Sequence, residues 1–110
     1  MNTSYFARNG HNPYGVSIAG GCPEWFEGTK YKKLAPKYWF FKLYKENGDK
    51  DHYIDCYKRE VLDKLDAQTV YNELGCNAIL LCWEAPGKFC HRHLVAQWFK
   101  EKLGVEVIEL

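Results

Sequence analysis

The residues able to do chemistry crowd into one stretch, Leu80-Leu-Cys-Trp-Glu-Ala-Pro-Gly-Lys-Phe-Cys-His-Arg-His93. Its apolar start reads as a buried strand, Pro86-Gly87 as a turn, and Phe89 or Cys90 as the start of a helix. A helix N-terminus presents free backbone N–H groups and a positive dipole end, so it attracts anions. A cysteine there, beside His91 and Arg92, is expected to have a lowered pKa and to act as a nucleophile or redox thiol. On this reading Cys90 attacks, His91 orients or relays a proton, and Glu84 is the general acid or base. Arg92 offers a planar fork for phosphate or carboxylate. Cys82 and Glu84, two apart on a strand, point to one face. The chemistry implied is thiol-dependent and directed at a small anionic, nucleotide-like molecule.

Plainer roles exist for each residue. Cys90 can be a small core hydrophobe, and His91, three and four residues before Leu94 and Val95, can be a satisfied core histidine. His93 shares a helical face with Gln97 and Lys100 and reads as solvated. Glu84 and Arg92 could instead form a buried ion pair between strand end and helix. Cys82, Cys90, His91 and His93 count to four zinc ligands, but there is no Cys-x-x-Cys. On a helix, adjacent Cys90 and His91 would diverge by about 100°, so no metal is expected unless folding brings in Cys22 or Cys76. Cys90 and Arg92 are too close in sequence to enclose a phosphate as a phosphatase loop does. Neither a Walker loop nor G-x-G-x-x-G occurs, and the sequence names no cofactor.

The elements that must position these groups alternate. Strands are expected at Ala78–Trp83, at Tyr14–Ala19 before Gly20-Gly21, at Val105–Leu110, and more weakly at Thr3–Ala7. Helices are expected from Pro36 to about Glu46, over Tyr53–Leu65, over Ala67–Leu74 with Asp66 as N-cap, and over Phe89–Leu103 with Gly104 as the C-terminal stop. That order predicts an α/β fold: a small three-layer, Rossmann-like domain with a mostly parallel sheet of three or four strands and helices on both faces. Ligands in such sheets bind beyond the carboxyl ends of the strands, here Ser17–Gly21 and Cys82–Glu84.

At 110 residues with 46% apolar content, the chain suffices for one domain, residues 1–110, and not for two. Fifteen basic against fourteen acidic residues exclude a whole-chain electrostatic attraction to nucleic acid or membrane. The longest apolar run, Ala78–Trp83, is too short to cross a bilayer. The N-terminal MNTSYFARNG lacks the regions of a signal peptide, and five cysteines without a dense pattern read as reduced thiols, so a cytoplasmic protein is expected. The segment Glu24–Lys45 holds six lysines and eight aromatics. Such a mixture can bind single-stranded nucleic acid, or serve a non-catalytic protein-binding module. The stronger reading packs Phe40, Phe41 and Tyr44 on the sheet with Lys37, Lys42 and Lys45 solvated, the aromatics also serving a pocket for a flat ligand.

Three segments carry a resemblance: Ser17-Ile-Ala-Gly-Gly-Cys-Pro-Glu-Trp25, Tyr31-Lys-Lys-Leu-Ala-Pro36, and Leu81-Cys-Trp-Glu-Ala-Pro-Gly-Lys-Phe-Cys-His-Arg-His-Leu-Val95. They resemble DUF488, a family of small bacterial and phage proteins marked by a Cys-x-Glu…Cys-His-Arg signature. The resemblance covers nearly the whole chain. By position it implies Cys82, Glu84, Cys90, His91 and Arg92 as signature residues, with Ser17, Gly20 and Gly21 in the first strand's motif. Trp83 stands where many relatives carry tyrosine. The family implies an α/β fold and a shared site, without a set reaction.

Overall fold

The computed structural model describes residues 1–110. Five strands form one parallel sheet: β1 (Asn2–Tyr5), β2 (Gly15–Ser17), β3 (Thr29–Lys30), β4 (Ile79–Cys82) and β5 (Ile108–Glu109), in the order β3-β2-β4-β1-β5. The helices are α1 (Phe6–Asn9), α2 (Tyr38–Asn47), α3 (Lys50–Glu60), α4 (Ala67–Leu74) and α5 (His91–Leu103). None is long and apolar enough to cross a membrane.

β4 organises the sheet because both of its faces are covered, which is why its sequence is a continuous apolar run. Leu80 and Cys82 enter the main core with residues of α2, α3, α4 and α5, while Ile79 and Leu81 meet Phe6, Ala19 and Phe26. Helices thus lie on both faces, but unequally: four on one, and only the single turn of α1 on the other.

Local chemistry sets the helix ends. Asp66 caps α4 by accepting from the Thr69 N–H at 3.0 Å, and Asp49 caps α3 from the His52 N–H at 3.1 Å. Gly104 ends α5 at φ +67°, a left-handed conformation that glycine adopts freely. α3 therefore begins before the expected Tyr53, and it stops at Glu60; Leu62–Lys64 form a separate 3-10 turn. The expected strand Thr3–Ala7 runs over Asn2–Tyr5 and turns into α1, and Val105–Leu110 shrinks to Ile108–Glu109. The fifth strand, β3, lies at the edge with both residues exposed, so it leaves no apolar pattern.

The chain leaves β2 toward β3 on one side and β4 toward β5 on the other. The sheet's switch point thus falls between the carboxyl ends of β2 and β4, where a ligand crevice forms.

β5 is held by more than its two residues of pairing. The Arg92 guanidinium is wholly buried, its Nε and Nη2 donating to the two Glu109 carboxylate oxygens at 3.1 and 2.8 Å, and Thr3 Oγ1 donates to Oε1 at 2.6 Å. Burial opposes ionisation of Glu109, but these hydrogen bonds and the Arg92 charge outweigh it and hold the carboxyl below its ordinary value. Its stabilisation is therefore present at neutral pH and lost as pH falls through that lowered value. Glu109→Gln should cost about 2 kcal/mol at pH 7 in urea unfolding, less than a fully buried pair because Glu109 is partly exposed. The gap between variant and wild type should close on acidification; a constant gap down to pH 2, or none at pH 7, contradicts this account.

Candidate functional site

Cys82 is the last residue of β4, and the chain turns through 83–90 before α5. Cys90 has extended backbone angles (φ −153°, ψ 147°) and stands just before the helix. It is the N-cap residue, not a member of the first helical turn as expected. The 100° divergence of neighbouring helical side chains therefore does not separate Cys90 from His91. Their side chains converge instead: Cys82 Sγ lies 3.8 Å and Cys90 Sγ 3.7 Å from His91 Nδ1.

His91 is oriented from its other side. Its Nε2 is 2.7 Å from the Ile18 carbonyl oxygen, which can only accept, so Nε2 carries a proton and donates. Nδ1 is thereby left for the two sulfurs. The ring also packs on Tyr57, centroid to centroid 5.4 Å, and the Tyr57 hydroxyl donates to the Leu34 carbonyl. All three groups are buried.

The two thiols are electrostatically unequal. Burial pushes Cys90 up, but hydrogen bonds from Cys82 and His91, the His91 charge and the Arg92 backbone N–H outweigh it, leaving Cys90 well below the ordinary thiol range. Burial and the neighbouring Cys90 push Cys82 the other way, above that range, against the opposing pull of Arg92. The two shifts run in opposite directions and favour ionisation at Cys90, the sulfur at the helix N-terminus, over Cys82.

A cavity of about 510 Å³ lies at the carboxyl ends of β2 and β4. Its floor includes Cys82 and His91, one wall Gly20 and Gly21, and another the α2 residues Tyr38, Phe41 and Lys45. Trp83 crosses the mouth and donates from Nε1 to the Gly21 carbonyl at 2.9 Å. Glu84 stands on the rim, 3.7 Å from Lys45 Nζ. A smaller cavity of about 30 Å³ is lined by the buried Cys90 and shares Phe41, Lys45, Glu84 and His91 with the large one. Cys90 and Glu84 therefore do face a common space.

Other expected residues lie elsewhere. Arg92 lines neither cavity: besides Glu109, it donates from Nη1 to the Glu84 backbone carbonyl at 2.7 Å. The structure places it as a clamp between α5, β5 and the end of β4, with each of its three nitrogens bonded there. Glu84 is its partner through the backbone, not through the carboxylate. Ser17 is buried and accepts from the Ala19 N–H, within its own turn. His93 is half-buried near Glu109, and it lies outside the cysteine cluster. So do the half-buried Cys22 and the exposed Cys76. In the lysine-rich segment Phe40 is buried, whereas Tyr38, Trp39 and Phe41 stay exposed. Three of its lysines face glutamates: Lys33 with Glu73, Lys37 with Glu60 and Lys45 with Glu84.

Sequence reasoning missed Lys45, whose pairing depends on α2 crossing the end of β4, and the Ile18 carbonyl, which as backbone leaves no residue signal. Glu109 was hidden as one more acidic residue in the last strand.

A parallel α/β sheet with a buried Cys-Cys-His cluster under its carboxyl edge defines the class. The chain belongs to the DUF488 family: the family model described as the active DUF488-N3 subclade, DUF488-N3a, matches residues 6–103. No curated protein and no solved structure matches the chain.

Because only the thiolate is nucleophilic, this electrostatic arrangement predicts the pH course of alkylation. Iodoacetamide labelling of Cys90, followed by peptide mass spectrometry, should already be at its plateau near pH 7. In His91→Ala the half-point should rise by about one pH unit or more, as loss of a neighbouring positive partner requires. A wild-type rate still climbing at pH 9 contradicts the assignment.

Proposed function

We propose that the chain is a thiol-dependent enzyme acting on a small, flat, anionic molecule of nucleotide-like shape. The observation that carries this reading is the buried Cys82–Cys90–His91 cluster beneath an aromatic-walled cavity at the sheet's switch point. Description of the matched subclade as active agrees with it.

In this reading the substrate's flat part packs against Tyr38, Phe41 and Trp83, which leave apolar surface exposed to solvent at the cavity. Gly20 and Gly21 allow close backbone approach. A Cβ added at either would meet nothing within 4 Å and neither needs a positive φ, so folding alone does not call for glycine there. Arg92 is already committed, so the anionic part falls to Lys45 and to Lys32, whose Nζ donates to the Gly20 carbonyl at 2.7 Å. The α5 N-terminus serves the Cys90 thiolate in place of a ligand phosphate.

Cys90 Sγ then attacks an electrophilic carbon of the substrate, and the leaving group departs with its bonding pair. His91 Nδ1 or the Glu84 carboxyl protonates it. Water, deprotonated by the same group, releases the product and restores the thiolate.

The test is a two-stage screen. Nucleotides and related phosphorylated metabolites should raise the thermal unfolding midpoint of the wild type, and Phe41→Ala or Lys45→Ala should weaken that shift about tenfold in ligand concentration, the equivalent of ~1.4 kcal/mol. With any ligand that binds and turns over, Cys90→Ser should lose at least about 10³-fold in rate while keeping the circular dichroism of the wild type. Equal turnover by Cys90→Ser overturns the nucleophile. Binding that survives both cavity substitutions, or none across the set, overturns the substrate class.

A further inference from the structure

The geometry points to a second use of the same three side chains: Cys82, Cys90 and His91 form a binding site for a thiophilic cation, Zn²⁺, whose occupation silences the Cys90 nucleophile. The inference rests on the convergence of ligand atoms and not on the thiolate reading, though it adds a regulatory input to it.

The ligand atoms are already gathered. Both Sγ atoms and Nδ1 lie within 4.8 Å of one another. A tetrahedral zinc with Zn–S of about 2.3 Å and Zn–N of about 2.05 Å separates sulfur from nitrogen by ~3.6 Å. The two observed separations, 3.8 and 3.7 Å, exceed this by only a little. A contraction of a few tenths of an ångström brings the two sulfur–nitrogen separations to that geometry, and the two sulfurs, within 4.8 Å of each other, must come to about 3.8 Å.

The histidine is prepared for such a role. Nε2 is held by the Ile18 carbonyl, so Nδ1 is the nitrogen that faces the two sulfurs. A ring nitrogen that ligates while the other donates to a backbone carbonyl is the usual outer-shell arrangement of metal-bound histidine.

The donor set selects the ion. Two thiolates and an imidazole suit zinc and other soft or borderline cations and exclude Mg²⁺ and Ca²⁺, which take oxygen. No carboxylate belongs to the cluster. Three protein ligands leave one zinc position for water or a cavity ligand, and Cys82 and His91 both line the large cavity.

Binding forms two Zn–S bonds and one Zn–N bond, and the protons carried by the thiols and by Nδ1 pass to water. The sulfur lone pair that would attack substrate then lies on the metal, so zinc and covalent chemistry compete for Cys90.

The experiment uses the full chain, reduced and stripped with a chelator, with Zn²⁺ and Co²⁺ as probes. One equivalent should bind, Co²⁺ should show thiolate-to-metal charge-transfer absorption, and Zn²⁺ should protect Cys82 and Cys90 from iodoacetamide. Cys22 and Cys76, outside the cluster, should label equally with and without the ion. Cys82→Ser and His91→Ala should each weaken binding by more than ~100-fold, beyond the usual effect of losing an outer-shell partner. Absence of binding, protection at Cys22 or Cys76 instead, or unchanged affinity in Cys82→Ser overturns the site. If either variant fails to fold, the wild-type protection pattern decides alone. Labelling of Cys90 in the stripped protein tests its thiolate separately, so a zinc-free but reactive cysteine refutes this inference and leaves the proposed function standing.

Discussion

A guanidinium taken wholly out of water must find its acceptors within the protein, and in Arg92 each of the three nitrogens has one. Its two bonds to Glu109 and one to the Glu84 carbonyl join α5, β5 and the end of β4 at a single group. Burial favours the neutral form, but the Glu109 carboxylate and the nearby cysteine sulfurs reverse this and keep the group charged. The consequence is positional. Arg92 anchors the first turn of α5, so the two residues before it, Cys90 and His91, are delivered to the underside of the cavity. The signature arginine thus builds the site without lining it.

The cluster it delivers is small, with three groups sharing few protons. His91 spends one nitrogen on Ile18, and the remaining one serves two sulfurs. Protons in such a set are shared, which is why one thiol is pushed down and the other up. The same crowding that lowers the cost of a thiolate also lowers the cost of placing a cation among the three groups. The proposed nucleophile and the proposed metal ligand draw on one electrostatic arrangement.

The unequal layering of the sheet supplies the space above it. Four helices pack one face, and α2, the first of them, reaches over the carboxyl edge with Tyr38, Phe41 and Lys45. On the other face α1 and Phe26 cover only Ile79, Leu81 and Ala19. Trp83 leans from the end of β4 onto Phe6, with ring centroids 5.2 Å apart, and still reaches the Gly21 carbonyl. It therefore ties the thin layer to the crevice mouth.

By itself the sequence determined the class of fold, the order of its main elements and the stretch that carries the cysteine cluster. Those are local properties: the apolar run of β4, the caps at Asp66 and Gly104, and the density of thiol, imidazole and guanidinium after Pro86 all show within a few residues. It could also place Cys90 at a helix start, though not on which side of the boundary. That single residue of difference sets whether the Cys90 and His91 side chains diverge or meet, because a helical pair is rotated apart and an extended N-cap is not. What only the tertiary structure decided are contacts between residues far apart in sequence: Arg92 with Glu109, His91 with the Ile18 carbonyl, Lys45 with Glu84. An acceptor on the backbone and a carboxylate among many leave no local pattern. Packing alone turned the arginine toward Glu109 and the Glu84 carbonyl.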